Sequence, residues 1–170
     1  MQIDKKYKLE KCVSTDPARE NLQNIYVSEK QAFATNGHYL AIVPTQFEKD
    51  DTIGWLTPGA LKLARRVAPK SSDTIHIELN GTQTLPDGTV MARPGDQVKP
   101  PQVVDILKQA RANRKFRVGL NAEYLKDLAE ALGTDELVLE FGGSDKPIQV
   151  TPVHGEEGTT GLLMPIRINP

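Results

Sequence analysis

Asn36-Gly37, with apolar residues alternating on either side from Ala32 to Pro44, is the feature that most restricts the fold of this chain. Asn-Gly between alternating apolar residues is the strongest short-range hairpin signal, because both central positions of the favoured two-residue turn need φ > 0. A strand over Ala32–Thr35, a tight turn and a return strand over His38–Pro44 are expected. Asn80-Gly81 repeats the signal between an alternating run at Thr74–Leu79 and a return strand at Thr82–Leu85. With 13 glycines and 12 prolines among 170 residues, turn chemistry recurs along the whole length. Short antiparallel strands are therefore expected throughout.

Further strands are expected at Lys8–Val13, Asn24–Ser28, Thr89–Ala92, Phe116–Leu120, Leu137–Phe141, Ile148–Thr151 and Gly161–Ile168. Two main helices interrupt them. Thr57-Pro58 supplies an N-cap and a first-turn proline for a helix through Ala60–Val67, which must stop before Pro69. Asn121 caps a second over Ala122–Leu132, where Leu125, Leu128, Ala129 and Leu132 share one face and Gly133 ends it. Val103–Gln109 is expected as a shorter helix. The chain divides into an N-terminal half (1–95), a connecting segment (96–114) rich in proline at its start, and a C-terminal βαβββ half (115–170). The two halves are expected to pack as one compact α+β domain.

The formal charge of −1 hides a marked asymmetry. Residues 61–118 carry 11 basic and 5 acidic side chains, a net +6, whereas residues 119–170 carry 3 basic and 9 acidic, a net −6. The basic stretch suits a polyanion, or it pairs with the acidic C-terminal part. A single cysteine, Cys12, excludes a disulfide framework and a multi-cysteine zinc site. Met1–Lys11 is charged and lacks the apolar core of a signal peptide, and no apolar run reaches membrane-spanning length. A soluble, cytoplasmic protein is expected. His38, His76 and His154 lie in separate segments without metal-ligand spacing, and no glycine turn is followed by the Lys-Ser/Thr of a phosphate loop. No catalytic residue, metal or cofactor is expected. A small hydrolase or nuclease is the remaining enzymatic alternative.

Two short segments carry a family resemblance. Thr35-Asn36-Gly37-His38-Tyr39-Leu40 and the closing strand Leu162-Leu163-Met164-Pro165-Ile166-Arg167 resemble the hairpin and C-terminal strand that line the peptide groove of the bacterial DNA polymerase III beta sliding clamp. Lys115–Val118, Asn121–Leu125, Leu137–Phe141 and Pro147–Pro152 follow in that family's order, and Pro100–Leu107 resembles its interdomain linker. The hairpin departs from the family pattern at Asn36 and Tyr39, where Asp and Arg are usual, and the residues before it are too few for the long helix expected there.

The resemblance implies a clamp-type fold and a binding function in replication or repair. A groove formed by Thr35, Gly37, His38, Tyr39, Leu40, Leu163, Met164, Pro165, Ile166 and Arg167 would take a short peptide of a polymerase or another factor. Leu40 and Leu163–Ile166 supply an apolar floor, and methionine adapts to varied side chains. Duplex DNA would meet Lys62, Arg65, Arg66 and Lys70, with Arg111, Arg114, Lys115 and Lys126 as weaker contacts, all without reading bases. A ring would need about six copies of so short a chain, taking one clamp-type domain per copy. The alternative is a monomeric or dimeric adaptor or decoy that modulates replication without encircling DNA.

Overall fold

The computed structural model describes residues 1–95 and 99–168. Asp96, Gln97 and Val98 of the expected connecting segment, and Asn169 and Pro170, lie outside the described residues. The chain forms two compact units, Met1–Gln102 and Val103–Pro170.

In the first unit, β1 (Gln2–Asp4) pairs antiparallel with β6 (Thr74–His76). A four-stranded antiparallel sheet has the order β4 (Leu40–Pro44), β3 (Gln31–Thr35), β2 (Ile25–Val27) and β5 (Gly54–Leu56). A three-stranded meander joins β7 (Glu78–Leu79), β8 (Thr82–Thr84) and β9 (Val90–Ala92). Period-two alternation sorts the faces of the large sheet. Ile25, Val27, Ala32, Ala34, Val43 and Leu56 enter the core, where Ile3, Ile75, Ile77 and Leu79 join them. On the opposite face, Tyr26 stacks between Phe33 and Trp55, with ring centroids 5.3 Å apart in both pairs.

Helix α1 (Pro58–Val67) begins where Thr57 and Pro58 place it: the Thr57 hydroxyl accepts from the Ala60 amide at 3.2 Å. Its buried face is Ala60, Leu61 and Ala64, continued by Ala68. Three expectations change in this unit. The Lys8–Val13 strand is a turn of 3-10 helix at Leu9–Lys11, with β1 preceding it. The Thr74–Leu79 run is split at Ile77 into β6 and β7, which belong to different sheets. The loop after Thr45 leads into β5, whose three residues are too few to show a period.

The second unit holds α2 (Val103–Ala112), α3 (Ala122–Ala131) and a sheet of β10 (Leu137–Phe141), β11 (Ile148–Pro152) and β12 (Gly161–Leu163), each antiparallel to the next. Asn121 caps α3 through its side-chain oxygen, as expected. Ile148, Val150 and Leu163 form the core, with Leu125, Leu128, Leu132, Leu137 and Leu139 half-buried against it. The shorter helix expected at Val103–Gln109 is α2, which runs three residues further, to Ala112. The strand expected at Phe116–Leu120 is reduced to one bridge, Gly119 to Ile166, and the closing strand ends at Leu163. Pro165 has no amide to donate, which accounts for the early end of the ladder.

Candidate functional site

The hairpin in the first unit is wider than an Asn-Gly turn. Thr35 pairs with Leu40, so four residues, Asn36–Tyr39, form the loop, and Gly37 alone among them has positive φ, at 94°. Side chains hold it. The Asn36 amide oxygen accepts from the His38 amide at 3.0 Å and the Tyr39 amide at 3.2 Å, an Asx turn. The Thr35 hydroxyl donates to the Tyr39 carbonyl at 2.7 Å and accepts from the Gly37 amide at 3.1 Å. Arg19 closes on the loop from outside, donating to the Asn36 carbonyl at 3.0 Å; a Cβ at Gly37 would stand 2.7 Å from its guanidinium. The Tyr39 ring is exposed, and its hydroxyl is anchored on the Lys11 carbonyl at 3.0 Å. His38 is exposed and Leu40 half-buried.

The closing segment in the second unit behaves differently. Leu163 is in the core, paired across the sheet with Ile148, and so is not a floor residue. Beyond it, Met164, Ile166 and Ile168 are exposed apolar residues in series, and Pro165 is half-buried. The Ile166 amide donates to the Gly119 carbonyl at 2.9 Å, which fixes the segment beside Phe116. Gly119 permits that approach: a Cβ there would lie 2.7 Å from Ile168, 2.8 Å from Ile166 and 3.0 Å from the Ile166 carbonyl oxygen.

Together these residues line an open depression of about 1040 Å³, with Phe116, Met164, Pro165, Ile166 and Ile168 as apolar lining and Arg114, Lys115, Arg117 and Arg167 as cations. Asp145 and Ser144 complete one side. All four cationic side chains are exposed and make no hydrogen bond or ion pair among the described residues. Such a surface suits an apolar segment carrying a carboxylate. Phe116 and Arg117 were read from the sequence as strand residues rather than site residues. The signal present was an aromatic set within Arg114–Arg117, a run of cations.

The basic candidates separate once their partners are known. Arg65 faces inward: its guanidinium meets both Glu10 carboxylate oxygens, the Lys5 carbonyl at 3.1 Å and the Tyr7 carbonyl at 2.5 Å. With 18% of its side chain exposed, Arg65 is a structural residue and is removed from the DNA-facing set. Lys62, Arg66 and Lys70 are exposed around it. Arg111, Arg114 and Lys115 are exposed in the second unit. Lys126 lies 3.6 Å from Glu130 on a helix face that also bears Glu123 and Asp127, an acidic neighbourhood unsuited to phosphate. Burial, helped by the nearby Glu10 charge, pushes the Cys12 thiol up and makes it a poor nucleophile. Among the described residues, no group of three or more His, Cys, Asp or Glu is placed to hold a metal ion, and no helix is long and apolar enough to cross a membrane.

The fold has known counterparts. The DNA polymerase III beta subunit of Borrelia burgdorferi, solved in complex with a natural product, superposes with a TM-score of 0.65 over 96% of this chain and 47% of its own, at 15% identity. The beta sliding clamp of Staphylococcus aureus is 30% identical over 71 residues, which is 39% of this chain and 19% of that protein. No family model matches the chain. The fold is thus of the sliding-clamp class. Within that class this is a divergent, clamp-like chain spanning about half the length of the Borrelia subunit.

Proposed function

We propose that the chain is a sliding-clamp-type accessory protein of DNA replication or repair that acts by binding rather than by catalysis, taking short partner peptides on the Phe116–Ile168 depression. The observation that carries this reading is an exposed apolar surface ringed by four unpaired cations on a clamp-type fold. Met164, Pro165 and Ile166 supply contact area, and Arg167 with Arg117 directs an acidic group of the peptide. The Thr35–Leu40 hairpin, with His38 and Tyr39 outward, is proposed as a second partner-contacting element, tested separately.

Duplex DNA is met through phosphates by Lys62, Arg66 and Lys70 in the first unit and Arg111, Arg114 and Lys115 in the second. Such contact is salt-sensitive and indifferent to sequence.

The test is fluorescence anisotropy of a labelled clamp-binding peptide from a bacterial replicative polymerase. Binding is expected to weaken about tenfold with Phe116→Ala and more with Ile166→Asp, consistent with loss of a central apolar anchor. Tyr39→Ala measures the hairpin contribution alone. Unchanged affinity in the Phe116 and Ile166 variants would overturn the assignment.

A further inference from the structure

Asn36 and Asn80 are each followed by glycine, and each sits in a hairpin loop of the first unit. An Asn-Gly pair is chemically labile in water. The glycine amide nitrogen attacks the asparagine Cγ, and glycine has no Cβ to hinder the approach. A bond forms between that nitrogen and Cγ, the Cγ–Nδ2 bond breaks, and ammonia leaves with the proton of the attacking amide. Water then opens the cyclic imide at one of its two carbonyls, giving aspartate or isoaspartate. One water is consumed and one ammonia released. Closure requires a side chain free to turn and a glycine N–H that is not already engaged, so the folded structure sets the rate at each site.

At Asn36 both requirements are blocked. Its side-chain oxygen accepts from the His38 and Tyr39 amides at 3.0 and 3.2 Å, which pins the carboxamide. The Gly37 amide is engaged by the Thr35 hydroxyl at 3.1 Å. Arg19 donates to the Asn36 carbonyl, and both Arg19 and Leu22 stand against the loop at Gly37. Ring closure would have to break these bonds together.

Asn80 has the opposite surroundings. Leu79 pairs with Gln83, leaving a three-residue loop, Asn80–Thr82. Asn80 and Gly81 are exposed, and the Asn80 side-chain oxygen accepts only from the Thr82 hydroxyl, at 3.4 Å. The Gly81 amide donates no hydrogen bond among the described residues, and a Cβ built at Gly81 would meet nothing within 4 Å.

We propose that Asn80 is a site of spontaneous covalent modification, deamidating in the folded protein while Asn36, with the same dipeptide, is protected. Conversion reaches the framework through Leu79. The Leu79 amide donates to Asp51 at 2.9 Å, and its carbonyl accepts from the Thr52 amide at 2.7 Å and the Thr52 hydroxyl at 3.0 Å. Isoaspartate adds a methylene to the backbone directly after Leu79. Either product adds a carboxylate to a cleft lined by Glu48, Asp50, Asp51 and Glu78 beside Lys49, where like charges repel. Modification at Asn80 therefore loosens the first unit.

Peptide mapping by mass spectrometry tests this on the full chain, aged in mildly alkaline buffer at physiological temperature. Each conversion is read from the mass difference between a hydroxyl and an amino group. Asn80 is expected to convert about tenfold or more faster than Asn36. In concentrated urea, where both loops are open, the two rates are expected to converge. Combining Thr35→Val with Arg19→Ala removes the restraints at Asn36 and is expected to raise its rate several-fold, with Asn80 unchanged. Ageing is expected to lower the urea midpoint of the wild type and to spare Asn80→Ser. Equal rates at the two sites in the folded protein, faster conversion at Asn36, or no conversion at Asn80 would overturn the assignment. An unchanged midpoint in the aged wild type, or an equal fall in Asn80→Ser, would overturn the coupling to Leu79.

Discussion

Arg65 and Asp51 show how single charged residues serve the framework rather than a ligand. Arg65 ties two backbone carbonyls, of Lys5 and Tyr7, and the Glu10 carboxylate to α1. Arg65→Ala leaves Glu10, 11% exposed, without its partner, and is expected to cost about 2–3 kcal/mol in urea unfolding. Lys62→Ala, one turn away and exposed, is expected to leave stability unchanged and to lower the salt slope of DNA binding by about one unit. A common effect of both on stability would contradict the division of roles.

Asp51 is almost fully enclosed. Burial alone pushes its carboxyl up, but the Met1 ammonium and the Glu48 and Leu79 amides outweigh this and hold it below the usual 3.8. A lowered folded-state value adds stability above the ordinary carboxylate range, and that stability is lost as pH falls through the folded value. Wild-type stability should therefore decline below about pH 4. Asp51→Asn is expected to remove about 2 kcal/mol at neutral pH and to flatten the acid limb of the profile. An unchanged acid limb in that variant would exclude the assignment.

At the scale of elements, the signals that were legible were local ones. Thr57-Pro58 and Asn121 place two helix starts because capping depends on one side chain and the next turn of backbone. The Asn36-Gly37 hairpin was legible as a hairpin but not as a four-residue loop. Its width is set by side-chain bonds of Thr35 and Asn36 and by Arg19, which approaches from 17 residues away. β5 and the 3-10 turn at Leu9–Lys11 were not legible, since three residues carry no period.

Gln83 was likewise missed. It is fully buried, accepts from the Thr57 amide at 2.8 Å and donates to the Ala92 carbonyl at 2.6 Å, tying the meander to the start of α1. Gln83→Leu strands both backbone groups and is expected to destabilise by about 2–3 kcal/mol, read from the urea midpoint. Of the residues proposed to meet a peptide, Met164, Pro165, Ile166 and Arg167 were singled out from a proline-interrupted apolar strand, and all four line the depression. Leu163 lies in the core instead, because alternation alone does not tell which neighbour of Met164 turns inward.

Across the whole molecule, the two units differ in how much they bury. The first holds the larger core, and in the second α3 has no fully buried residue. Amide exchange is therefore expected to be slowest in β2, β3 and α1 and faster throughout β10–β12, in proportion to local burial. Uniform protection across both units would contradict this. The clamp-type fold at 15% identity shows how little of the architecture depends on particular residues. The proposed partner surface rests instead on the exposed apolar series Met164, Ile166 and Ile168 with its unpaired cations.

The three methionines provide the most direct measurement. Met1 is buried in the first core, Met91 is half-buried against it, and Met164 is 62% exposed in the depression. With methyl-labelled methionine, titration of the polymerase peptide followed by NMR should shift the Met164 resonance in a saturable way and leave Met1 and Met91 in place. A saturable peptide interaction that leaves Met164 unmoved, or no interaction at any concentration reached, would contradict the account of this chain as a peptide-holding, clamp-type protein.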